Sequence, residues 1–177
     1  MKTMTGNDPF ATLIEPATLK IERRLPGPVE RVWECLTQSD LRARWLAAGD
    51  MDLRPGAPFT FTWRNDDLSA SASERPQGTP EVMTMESRII EVHPPVRLVF
   101  SWEEGGEVAI DLSPDGGDVL LRLIHRRVVK PGERLMIAAG WHMHLDILRA
   151  VLAEEIPPSF WAGWMTLKEA YAERFPA

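Results

Sequence analysis

Gly140-Trp141-His142-Met143-His144-Leu145-Asp146-Ile147-Leu148-Arg149-Ala150-Val151-Leu152 has helical periodicity and follows an almost unbroken series of strand signals. At about 100° per residue, the apolar side chains from Met143 round to Ala138 cover roughly 220° of the helical wheel. A helix resting on a flat sheet needs a stripe of little more than ~100°. This helix therefore predicts a curved sheet that holds it from more than one side. A sheet curled about a helix can enclose a cavity, and the function is expected there.

Working back from the helix, Val119–Val128 and Glu107–Leu112 read as strands separated by the hairpin residues Asp115-Gly116-Gly117-Asp118. Val96, Leu98, Phe100 and Trp102 share one strand face. Glu81–Val92 is a long strand whose mixed alternation predicts a bulge. Residues 65–79 are polar and rich in Ser, Asp, Pro and Gly, so they read as a long loop. Phe59, Phe61 and Trp63 alternate with polar residues in a further strand, and Met51 and Leu53 suggest another. Two short helices are expected over Pro28–Thr37 and from Ser39 to Trp45, after a first strand at Thr18–Leu25. Beyond the long helix, Pro157-Pro158 breaks the chain. A last helix over Phe160–Phe175 carries Phe160, Trp164, Leu167, Tyr171 and Phe175 on one side. Short connections favour antiparallel pairing, and the fold class is α+β. The chain divides into a flexible N-terminal arm over 1–16, one domain over 17–155 and an aromatic helical extension over 156–177.

Composition narrows the function. With 20 basic and 26 acidic residues the formal charge is −6, which argues against a nucleic-acid partner. Arg23-Arg24 and Arg126-Arg127 lie on strands, where neighbours point to opposite faces, and are expected as solvated sheet edges. Cys35 is the only cysteine, so no intrachain disulfide forms. The start of the chain lacks the apolar run of a signal peptide, and no stretch of ~18 uninterrupted apolar residues predicts a membrane span. A cytoplasmic location is expected.

Several motifs resemble the SRPBCC or START-like superfamily, in the subgroup named after the homologue of the heat-shock chaperone ATPase activator. They are the strand 18–25, the helix Pro28 to Thr37 with Leu41 and Trp45, and the turn Arg54-Pro55-Gly56 before Phe59. Ile90-Glu91-Val92-His93-Pro94-Pro95-Val96-Arg97-Leu98-Val99-Phe100-Ser101-Trp102, Leu121 to His125 and Gly140 to Leu148 complete the pattern. Ser87 stands where many members carry glycine. The resemblance covers roughly residues 18–154 and implies a helix-grip fold. Such a fold has a curved antiparallel sheet of about seven strands around the long helix, with a cavity between. Members bind hydrophobic small molecules, and a minority catalyse cyclisation, dehydration or hydrolysis.

His142 and His144 lie two apart on a helix, about 200° round the wheel, and cannot share a metal ion. His142 is expected to face solvent beside Asp146. His144 lies mid-way round the apolar arc, where an imidazole needs a hydrogen-bond partner within the fold or touches a ligand. Gly140, one turn earlier, costs about 1 kcal/mol against Ala in a helix interior and leaves room for a ligand or close packing. His125 shares an inward strand face with Val119, Leu121 and Leu123, so His125 and His144 together would form a polar spot in an apolar cavity. Phe61, Trp63, Trp102, Leu148 and Val151 complete the expected lining. Glu86 and Arg88 share a strand face and are expected outside. No metal site, cofactor, phosphate-binding loop or nucleophile elbow is read from the chain.

The leading expectation is binding of an apolar or aromatic small molecule. The alternatives are an enzyme with His144 or His125 as acid–base residue and, by the resemblance alone, a chaperone ATPase-activating module. The bare aromatic face of the last helix points either to packing within the chain or to a homodimer.

Overall fold

The computed structural model describes residues 8–175, apart from the Glu104 side chain. It is a seven-stranded antiparallel sheet, curved around a long helix near the C-terminus. The strands are β1 (Thr12–Glu15), β2 (Thr18–Pro26), β3 (Pro58–Trp63), β4 (Met83–His93), β5 (Arg97–Trp102), β6 (Gly106–Asp115) and β7 (Asp118–Arg126). Their spatial order is β1-β2-β7-β6-β5-β4-β3. The first strand expected from the sequence, now β2, returns beside the last, and this brings both ends of the meander under one helix. Helices α1 (Val29–Thr37) and α2 (Ser39–Arg42) connect β2 to β3, α3 (Pro131–Leu152) follows β7, and α4 (Phe160–Arg174) ends the chain.

Period-two alternation sets the concave face. Leu19, Ile21 and Leu25 of β2 point inward with Leu121, Leu123 and His125 of β7 and Val108, Ile110 and Leu112 of β6, and all are buried. Each buried aliphatic side chain contributes on the order of 1.5–3 kcal/mol. Leu145, Leu148 and Leu152 of α3 close over this floor. Pro131 stands at the start of α3, where its missing N–H has no helical partner to lose.

Three expectations about elements change. Met51 and Leu53 form no strand, and the chain there makes only an isolated bridge between Ala48 and Thr62. The seventh strand is β1, whose residues 12–15 were assigned to the loose arm but pair with β2 at the sheet edge. Ser39–Trp45 is helical only to Arg42 before turns take over. The bulge expected in β4 is present, as a register shift between Ile89 and Glu91. The 65–79 segment contains two short 3-10 turns, Asn65–Leu68 and Ala72–Glu74, and packs on α4. By length and composition α3 would also suit a membrane span, and burial under the sheet and α4 accounts for that composition.

Candidate functional site

The inward-facing residues of β3, β5 and β7 converge at one end of the sheet, under the first half of α3. β3 ends at Trp63 opposite Met83, and β5 ends at Trp102 opposite Gly106. Phe59, Phe61 and Phe100 continue the row inward, with ring centroids 4.8 Å (Phe59–Phe61) and 5.2 Å (Phe61–Phe100) apart. Trp63 and Trp102 lie 5.8 Å apart, and Trp102 meets His125 at 4.8 Å and Trp141 at 5.7 Å. Edge-to-face pairs of this kind add about 0.5–1.5 kcal/mol each beyond the area they bury. Trp63 and Trp102 are only half-buried, so this aromatic cluster reaches the surface.

His125 is the polar point of the cluster. Trp141 Nε1–H donates to its Nδ1 at 3.1 Å, so the neutral ring carries its proton on Nε2. That Nε2–H has no hydrogen-bond partner among the described residues. Burial pushes the imidazole pKa down to about 4, which leaves it uncharged near neutral pH. Next to Trp141, Gly140 is half-buried, and nothing lies within 4 Å of where its Cβ would stand.

No pattern in the chain pointed to the role of Arg42. Its side chain is 1% exposed and donates to the carbonyls of Ala47 (3.1 Å), Leu36 (3.2 Å), Thr37 (3.3 Å) and Gly49. Two of these acceptors are the unmatched carbonyls at the end of α1. The guanidinium lies 5.5 Å from the Phe61 ring centroid, so it braces the back of the aromatic row. Burial lowers its pKa to about 10. Gly49 must be glycine, because its φ is +138° and a Cβ would run into the Thr60 carbonyl.

His144 does not join His125. Its Nδ1–H donates to the Trp45 carbonyl at 2.7 Å, and its ring lies on Phe160 of α4 with centroids 4.5 Å apart. Trp45 in turn donates its indole N–H to the Cys35 carbonyl at 2.7 Å. His144 is therefore a brace between α3, the segment after α2, and α4. Burial holds its pKa at about 4. Each imidazole is committed to its own partner, and the shared polar spot expected from the sequence does not form. Leu148 is fully buried in the core, and Val151 is half-buried against it.

His142 overturns the solvent-facing expectation more completely. It is 4% exposed, under Phe10 of the N-terminal segment and Tyr171 of α4. The Ala11 N–H donates to the Tyr171 hydroxyl at 2.7 Å, and that hydroxyl donates to His142 Nδ1 at 2.9 Å. Asp146 sits 3.4 Å from His142 Nε2 and accepts from Arg23 Nε at 3.2 Å. Arg23 was expected in solvent, but it shares the inward parity of Ile21 and Leu25 and is buried. The wheel was right about which side of α3 carries polar residues. It could not show that two other segments cover that side.

The same packing draws part of the aromatic face of α4 into the core. Phe160, Trp161 and Tyr171 are buried against the chain's own core, and Trp161 Nε1 donates to Asp66 at 2.8 Å. Of the face expected from the sequence, Phe160 and Tyr171 are buried within the chain, and Trp164, Leu167 and Phe175 are half-buried. Glu86 and Arg88 are exposed, as expected. Among the described residues, two surface hollows stand out, and neither is lined by Trp63, Trp102, Trp141 or His125. One, of about 600 Å³, lies at β3, β4 and Ser101 of β5. The other, of about 570 Å³, lies at the far end among Pro28, Pro95, Val96, Pro114 and Gly117. Among the described residues no group of three or more His, Cys, Asp or Glu side chains is placed to hold a metal ion.

A curved antiparallel sheet gripping a long helix, with an aromatic cluster between them, is the helix-grip class of the SRPBCC superfamily. A family model described as activator of Hsp90 ATPase homolog 1-like protein matches residues 26–153, and the chain belongs to this family. A solution structure from Bordetella parapertussis is 31% identical, covering 94% of this chain and 90% of that one, with a TM-score of 0.77. CalU16 from Micromonospora echinospora is 27% identical over 90% of this chain and 89% of its own, at a TM-score of 0.66. DynU16, from the dynemicin biosynthetic locus, shares the fold at 18% identity and a TM-score of 0.62, covering 81% of this chain and 50% of its own. No curated protein matches the sequence.

Proposed function

We propose that this protein binds an apolar or aromatic small molecule at the aromatic end of the sheet, against Trp63, Trp102 and Trp141. The observation that carries the reading is the pairing of half-buried indoles with a buried His125 whose Nε2–H lacks a partner. A binding site of this kind needs apolar walls and few, well-placed polar groups. The rings now pack on one another, so a ligand would replace ring–ring contacts with ring–ligand contacts of similar strength. Open space beside Gly140 gives α3 and the Trp141 side chain room to shift. Belonging to a family whose fold commonly serves hydrophobic ligands supports the same reading.

The acid–base alternative has less support. His144 is sealed between Trp45 and Phe160, and only burial moves the pKa of His125, with no charged group tuning it. To test the binding reading, 2-ethylnaphthalene is titrated into the protein while tryptophan fluorescence and thermal stability are followed. Saturable quenching and a raised Tm are expected, and both should be lost in Trp102→Ala. Absence of saturable binding by this probe and by a panel of larger aromatic hydrocarbons would overturn the proposal.

A further inference from the structure

β3 turns Phe59, Phe61 and Trp63 to the concave side, with Thr60 exposed between the first two. Arg64 is exposed again, and position 65 is the next inward place in this row. It is held by Asn65, which is 5% exposed. A polar residue thus continues the aromatic row directly beyond Trp63, one of the half-buried indoles of the proposed site.

Local structure leaves this side chain without a task. Asn65 opens the 3-10 turn Asn65–Leu68, and asparagine in a turn commonly bonds to nearby main chain. Here no side chain caps the turn, and the Asn65 main-chain carbonyl is taken by Ser69 Oγ at 2.8 Å. Asn65 Oδ1 is buried and has no hydrogen-bond partner among the described residues.

The residues that follow fix this arrangement. Asp66 accepts from Trp161 Nε1 at 2.8 Å, and Ser69 Oγ accepts from the Trp161 N–H at 3.0 Å. The Ala70 N–H donates to Ser159 Oγ at 2.9 Å. These bonds pin residues 66–70 to the start of α4 and hold the turn that carries Asn65. A buried acceptor without a donor weakens a fold, and leucine, of nearly the same size, would avoid that loss. Across the sheet, β3, β5 and β7 place Trp63, Trp102 and His125 in that order. An open acceptor beyond Trp63 and the open Nε2–H of His125 therefore flank the indoles with opposite polarity.

We infer that Asn65 is the hydrogen-bond acceptor for the ligand: the aromatic guest of Trp63 and Trp102 carries a donor, a hydroxyl or an N–H, that meets Asn65 Oδ1. The inference rests on the proposed binding function and names the polar group its ligand must carry.

The test uses two probes of equal size on the full chain, 2-ethylnaphthalene and naphthalene-2-methanol, which exchanges the terminal methyl for a hydroxyl. Both are titrated into the native protein and into Asn65→Leu, with tryptophan fluorescence as the readout. The affinity of the alcohol relative to the hydrocarbon is expected to fall at least about five-fold in the variant, the value of one net hydrogen bond. Comparing the two ratios cancels the difference in hydration between the probes. Without ligand, Asn65→Leu should keep or raise the native Tm, because it removes an unpaired buried polar atom. In the native protein the alcohol should move the Asn65 side-chain amide resonances further than the hydrocarbon does, a readout that needs no variant. An unchanged ratio, a lowered Tm of the free variant, or an equal response of those resonances to both probes overturns the assignment of Asn65, while saturable binding of the hydrocarbon leaves the aromatic cluster standing. If neither probe binds the native protein, the binding reading itself has failed and this inference falls with it.

Discussion

The aromatic end of the sheet and the clasp around His142 use similar residues to opposite ends. In the clasp, Tyr171, His142, Asp146 and Arg23 form a continuous chain of polar contacts that ties Ala11 and α4 to α3. Arg174 caps it from outside, 3.6 Å from the Phe10 ring centroid. Tyr171 is fully buried there. At the aromatic end, Trp63 and Trp102 are half-buried, Trp141 is buried, and the His125 Nε2–H has no hydrogen-bond partner among the described residues. Access tells the two apart: the clasp is sealed under Phe10 and α4, with Arg23 Nη2 buried there without a hydrogen bond, whereas Trp63 and Trp102 reach the surface beside His125. The contrast is therefore between a sealed contact that ties three segments together and an aromatic cluster that reaches the surface.

The comparison breaks most sharply on aromatic truncation. Tyr171→Ala should cost about 4 kcal/mol in urea unfolding, since it removes a buried ring and strands both Ala11 N–H and His142. Binding of 2-ethylnaphthalene at low temperature should be retained. Trp102→Ala, at a half-buried site, should cost only about 2 kcal/mol and abolish that binding. If both variants lose stability equally and keep the probe, the two regions are not distinct in role.

Acid sharpens the contrast. His125 and His144 both titrate at about 4 in the folded protein, against 6.5 for an unperturbed histidine. Between those values the unfolded chain binds more protons, so their contribution is complete above about pH 6.5 and is lost as pH falls toward 4. At pH 5 each should have cost about 2 kcal/mol relative to pH 7. His144→Gln should flatten the fall in Tm between pH 7 and pH 5, and an unchanged slope would count against its buried neutral state. The smallest effect belongs to the outer surface. Arg122→Ala, which loses an exposed contact to Glu22 at 3.1 Å, should change stability by less than about 0.5 kcal/mol and leave binding untouched.

Much of this architecture was legible in the chain. Period-two alternation in Thr18–Leu25 and Phe59–Trp63, and the wide arc of α3, are local signals imposed by burial on one side. They led to the curved sheet and the long helix. Met51 and Leu53 misled because two apolar residues two apart satisfy the strand pattern without a partner strand to bond. The seventh strand lay instead at Thr12–Glu15, which is exposed at all four positions and so carries no burial signal.

Hydrophobic spacing was enough to assign residues to apolar faces, because it reflects burial one element at a time. The fate of the polar residues was set by the packing of remote segments against one another. Whether His142 meets water or Tyr171, whether Arg23 is solvated or tied to Asp146, and whether His125 and His144 meet all depend on segments remote in the chain. A hydrogen bond needs its partner within about 3 Å, and spacing along one helix or strand says nothing of what folds against it.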